Sequence, residues 1–161
     1  MLHVSVISVA FMIPSLIIYV LLDPYYHFFA TDKLMSEVRD KLGGRGFLLV
    51  LVVLAPWGET FIGQGLPWML TRLFRLPGTV FLVVATIWFA TLHGWGFKGP
   101  DFWIMVVAHI VPAFMLAFTF LQGEKRSDWR AIWMTATVHM IANGVVAVGD
   151  GLATLAKHAI T

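Results

Sequence analysis

Long apolar runs almost free of charge constrain this chain more than any other feature. Five stand out: Val4 to Leu22, Phe47 to Leu70, Thr79 to Trp95, Phe102 to Leu121, and a run from Trp129 toward Leu155. A backbone placed in hydrocarbon must satisfy its own N–H and C=O groups, so only helices and closed barrels are viable there. No segment alternates in the manner of a strand, and the expected fold class is therefore all-α. The expected architecture is a polytopic transmembrane helix bundle of about five membrane helices, each ~20 residues long, around a buried polar cavity. Composition agrees. Of 161 residues 59% are hydrophobic and 12% are charged, against ~25% charged in an average soluble domain. Mean hydropathy is +0.83.

The first run has no Lys or Arg before it and no small-residue cleavage site after it, so a retained helix is expected rather than a signal peptide. The polar stretch from Asp23 to Arg45 follows. Its part from Asp32 to Leu42 reads as an amphipathic helix at the interface, broken by Gly43, Gly44 and Gly46. Residues 1–46 thus form one unit, a membrane helix with an interfacial segment, and residues 47–161 form a four-helix membrane core. Leu76-Pro77-Gly78 and Lys98-Gly99-Pro100-Asp101 mark turns between helices, and Pro56 interrupts the second run. No internal repeat is visible.

The net charge is +2 and the pI is about 9.2. The cations lie in the polar segments between apolar runs, where they meet lipid headgroups. Membrane lipid is thus an expected partner and nucleic acid is not. Arg72, Arg75, Lys125, Arg126 and Arg130 fall on one side of a five-helix topology. Lys33, Arg39, Lys41, Arg45, Lys98 and Lys157 fall on the other, which is no bias for the positive-inside rule. The absence of cysteine removes disulfides, thiolate metal sites and cysteine nucleophiles.

Ionisable groups inside membrane helices cost a few kcal/mol on insertion scales and call for a function with a named partner. Here they are Glu59, His93, His109 and His139, joined by the amide of Asn143. Glu59 sits about twelve residues into its run, so burial is expected, and Thr60 and Gln64 share a helix face beside it. His139 and Asn143 are four apart and project from one face. His93 closes its run near a helix end, and His109 reads as a satisfied core histidine. A carboxylate and an imidazole can share a water as general base, while a second imidazole and an amide can donate to an oxyanion. Glu59, His93 and His139 could instead hold a divalent metal such as zinc, which would also activate water.

Other intramembrane hydrolase chemistries fit poorly. A rhomboid-like enzyme needs Gly-x-Ser-x-Gly, but Ser5, Ser8 and Ser15 all lie in the first run and the later runs have none. A presenilin-like enzyme needs Gly-x-Gly-Asp, and the nearest match, Ala147-Val148-Gly149-Asp150, lacks the first glycine and a second membrane aspartate. A His-Glu-x-x-His zincin motif is absent.

Phe89-Ala90-Thr91-Leu92-His93 and His139-Met140-Ile141-Ala142-Asn143, preceded by Glu59-Thr60 and Gln64, make the chain resemble the CPBP family of intramembrane proteases (CAAX proteases and bacteriocin-processing enzymes, also called the Abi family). That family carries Glu-Glu-x-x-x-Arg, Phe-x-x-x-His and His-x-x-x-Asn on three membrane helices. The second and third motifs are intact here. In the first, Thr60 and Gln64 replace the second glutamate and the arginine. The resemblance covers about residues 47 to 150. It implies catalytic roles for Glu59 and His93 in activating water and for His139 and Asn143 in holding the oxyanion, with Thr60, Gln64 and Phe89 supporting them. It implies a peptide or lipidated-protein substrate and a bacterial or archaeal cell membrane, and it leaves open whether a metal is needed. The expected function is therefore an intramembrane endopeptidase. A non-catalytic binding or immunity module on the same bundle is the alternative, and a proton-coupled transporter is disfavoured by the lack of an inverted repeat. The enzyme reading requires the Glu59 carboxylate to lie within ~7 Å of His93 and His139, the reach of one bridging water.

Overall fold

The computed structural model describes residues 33–160, with side-chain environments for residues 40–148. The first apolar run lies outside the described residues. The described helices are α1 (Lys33–Leu49), α2 (Ala55–Thr60), α3 (Leu66–Leu73), α4 (Gly78–Gly94), α5 (Pro100–Glu124) and α6 (Asp128–Ile160). Two five-residue π-helical segments, Val50–Leu54 and Phe61–Gly65, join α1 to α2 and α2 to α3 without a break in the coil. Among the described residues there is no strand, only an isolated bridge between Trp95 and Phe97.

The glycines after Leu42 behave differently from expectation. Gly43 does break the helix, at φ 67° and ψ 169°, but Gly44 and Gly46 lie in the helix that resumes after it. Residues 40–73 form a single apolar span of 34 residues, whose helix runs through residues 46 and 47. Pro56 does not stop this span, because it stands at the start of α2, and Pro67 stands likewise at the start of α3. Each proline closely follows a π-helical turn, whose wider coil accommodates a residue without an N–H.

The ends are set by local chemistry. Arg75 takes φ 52° after α3, its N–H donates to the Arg72 carbonyl at 3.0 Å, and the Leu76 N–H donates to the Thr71 carbonyl at 2.8 Å. This is the paired closure of a Schellman motif, with arginine where glycine is usual. Pro77 then forbids continuation. At the other hairpin, Ser127 Oγ accepts the Arg130 N–H at 3.1 Å and caps α6.

Spans 40–73, 100–124 and 128–148 are long and apolar enough to cross a membrane. Helix α4 is apolar too, but its 17 residues reach only about 25 Å. Four of the five expected runs thus correspond to helices, and three meet the length of a span. Large apolar side chains such as Leu54, Met69, Val83, Ile87, Trp103 and Val107 face outward, as a lipid-facing surface requires. Helix α5 is central, packing on α4 and α6. Half of its apolar window is buried, against 17% for span 40–73, so the broken span lies at the rim of the described helices.

Two apolar clusters hold the helices. One joins Phe81, Ala85, Ala117, Phe120 and Ala131 with Trp68. The other joins Phe89, Ala90, Val106, Ala113, Met115, Leu116, Val138 and Ala142. The first seals one end of the bundle, and the second floors the polar group described next.

Candidate active site

Glu59 belongs to the rim span, His93 to α4 and His139 to α6. The bundle brings the three together. Glu59 Oε2 lies 3.3 Å from His139 Nε2 and 3.7 Å from His93 Nε2. Both distances fall well inside the reach that the enzyme reading requires. Glu59 is not buried as expected: its side chain is 38% exposed, while His93 is 25% and His139 only 7% exposed. The rim position of its helix explains this, since a residue there can face the bundle and still touch the outside.

Phe89 ties the histidines to each other. Its carbonyl accepts the Nδ1–H of His93 at 3.0 Å. Because a carbonyl can only accept, this bond places the ring proton on Nδ1 and turns Nε2 toward Glu59. The Phe89 ring lies 4.5 Å from that of His93 and 5.6 Å, edge-on, from that of His139. Gly63 makes room for it: a Cβ there would sit 2.3 Å from Phe89 Cδ2.

His109 is satisfied as expected, its Nδ1–H donating to the Met105 carbonyl at 2.8 Å, but it also joins the site, for its ring stacks on that of His93 with centroids 4.2 Å apart. His93 is therefore held between two aromatic faces, Phe89 and His109. No motif pointed to His109, and its depth on α5 relative to α4 was the missing information.

Asn143 lies on the expected face of α6, one turn beyond His139. Its Nδ2 donates to the Leu51 carbonyl at 3.0 Å, so at least one of its two N–H groups is committed to backbone. Thr60 and Gln64 are fully buried. Thr60 Oγ1, both amide atoms of Gln64, Thr135 Oγ1 and His139 Nδ1 are buried without a hydrogen-bond partner among the described residues. Buried polar atoms are nearly always satisfied, so this group of unpartnered atoms makes the interior unusually polar. These polar groups form a close cluster. The cavity beside it, about 390 Å³, is instead lined largely by aromatic and apolar residues, including Trp88, Leu92, Trp95, Phe97 and Phe102.

The proposed zinc ligands Glu59, His93 and His139 are not arranged as a metal centre. Among the described residues no group of three His, Cys, Asp or Glu side chains could hold a metal ion.

No protein-family model, curated protein or solved structure matches this chain.

Proposed function

We propose that this chain is a multi-pass integral membrane protein acting as an endopeptidase of the CAAX-protease-like type, with water activated by Glu59 and His93. The observation that carries the reading is the contact of one carboxylate with two imidazoles from two other apolar helices, at 3.3 and 3.7 Å. Such groups are costly in a membrane helix unless they are used.

In this reading the Glu59 carboxylate takes a proton from water as the water oxygen bonds to the scissile carbonyl carbon. His93, whose Nδ1–H is held by the Phe89 carbonyl, presents its Nε2 lone pair to Glu59 and accepts from the carboxyl once Glu59 has taken the proton. The carbonyl oxygen becomes an oxyanion, and the Nε2–H of His139, with the second N–H of Asn143, donates to it. The C–N bond then breaks, and the leaving amine takes the proton from Glu59. The half-exposed Glu59 at the rim admits an extended peptide or a lipidated protein tail from the side. A bacterial or archaeal cell membrane is the setting that the motif resemblance implies.

A non-catalytic binding or immunity module is the second reading. The commitment of the Asn143 amide to the Leu51 carbonyl is the observation on its side. Mass spectrometry of candidate peptides incubated with purified wild type and Glu59→Gln separates the two readings. New termini are expected with wild type, with or without chelator, and none with the variant. Equal cleavage by both proteins would refute the mechanism.

A further inference from the structure

Glu59 sits between two π-turns, and both turns leave a backbone carbonyl without a helical donor. In the first, the Ala55 N–H bonds the Val50 carbonyl, one residue further back than in an α-helix. The Leu51 carbonyl would next look to residue 56, which is proline and has no N–H. In the second, the Leu66 N–H bonds the Phe61 carbonyl. The Ile62 carbonyl would then look to residue 67, again proline. The two turns repeat at a spacing of eleven residues, each followed by Pro-Trp, at Pro56-Trp57 and Pro67-Trp68. This short repeat is invisible to a search for repeated modules.

Both orphaned carbonyls are taken by side chains from the helices that carry the histidines. Asn143 Nδ2 on α6 donates to the Leu51 carbonyl at 3.0 Å. Trp88 Nε1 on α4 donates to the Ile62 carbonyl at 3.1 Å. Asn143 lies one turn from His139, and Trp88 lies five residues before His93. The span bearing Glu59 is thus fastened on either side of the carboxylate, once to the helix of His93 and once to the helix of His139. A π-turn changes the rotation of all that follows it along a helix, so these bonds fix which way Glu59 points.

We infer that Trp88 and Asn143 clamp the two π-turns and thereby set Glu59 against His93 and His139, Trp88 as a positioning residue alone and Asn143 through the N–H that its oxyanion role does not use. The inference deepens the protease reading and rests on it for its catalytic consequence, but the geometry can be read without a substrate. Trp88→Phe keeps a ring and removes the donor. Asn143→Leu keeps the bulk and removes the amide. Solid-state NMR in lipid bilayers, with ¹³Cδ-glutamate and ¹⁵N-imidazole labels, reports the Glu59–histidine contact. A ¹³C-isoleucine/¹⁵N-glycine pair label selects Ile62, the only isoleucine followed by glycine in this sequence.

In wild type the Glu59–imidazole coupling is expected to be strong. Trp88→Phe should weaken it and move the Ile62 carbonyl resonance upfield, as loss of a hydrogen bond requires. Asn143→Leu should weaken the coupling without moving Ile62. If peptide cleavage is observed, kcat should fall about 10²-fold in Trp88→Phe with KM changed much less. An unchanged coupling in both folded variants overturns the inference. If the couplings respond as described and wild type cuts no peptide, the clamp stands and the protease reading falls.

Discussion

The two ends of this bundle solve opposite problems with the same helices. At the end where α3 meets α6, Trp68 packs edge-on against Phe81 at 5.2 Å, Phe81 lies 5.5 Å from Phe120, and Gly123 lets α5 approach the backbone of α6 at Ala131. An exposed ion pair, Arg72 to Asp128 at 2.9 Å, closes the rim. Polar groups there are paired or outside. Toward the other end, a carboxylate, three imidazoles and an amide meet across four helices, with several buried polar atoms unpaired. A well-packed end can hold a polar end in place at a net cost in local stability, which is the usual arrangement for a site whose groups must stay reactive.

If the polar end exists for chemistry, Glu59→Gln should abolish peptide cleavage, by 10²-fold or more, while leaving the melting temperature in detergent unchanged or raised. A variant that cuts normally would make the two ends equivalent in kind. Gly63→Ala tests the bridge between them. Its Cβ would meet Phe89 Cδ2 at 2.3 Å, so Phe89 must move away from both His93 and His139. Cleavage should fall about 10²-fold, with a smaller loss in melting temperature. A drop in stability without a matching loss of kcat would show that Phe89 serves packing alone.

Gly123→Ala addresses the sealed end. The added Cβ would lie 2.6 Å from Ala131 Cα, and backbone cannot step aside as a side chain can. Overpacking of this kind costs about 1–3 kcal/mol, read as a lower midpoint of unfolding in mixed detergent. Activity per folded molecule should be nearly unchanged. Arg72→Ala should matter least. Both partners of its ion pair are more than half exposed, so the loss is expected to stay within about 1 kcal/mol, measured in the same unfolding assay. A larger effect would show that the 5.7 Å approach of Arg72 to the Trp68 ring carries much of that end.

Much of the site is legible in the chain because its residue types are expensive where they stand. Glu59 in an apolar run and His139 with Asn143 at a spacing of four announce themselves by hydropathy and helical period alone. His93 needed the motif resemblance to be raised above an interfacial residue. His109 was legible as a residue but not as a partner. Counting outward from the loop after Gly94 would set His93 opposite the first residues of α5. Yet a Cβ on Gly94 would meet Phe102 and Val106, so α5 overhangs the end of α4 by about two turns, and His109 comes level with His93. Loop geometry decided that offset, and loop sequence does not encode it in any simple period.

What the sequence determined by itself is the helical class, the apolar spans and the cost of placing a carboxylate among them, because hydrophobic transfer and helical period are properties of residues in order. Only the tertiary structure decided that Glu59 stands at the rim and half open, that both prolines sit beyond π-turns whose free carbonyls Asn143 and Trp88 take, and that His109 joins the histidines. Those outcomes depend on rotation and depth between helices. Neighbouring side chains from distant segments set them, and no local pattern can.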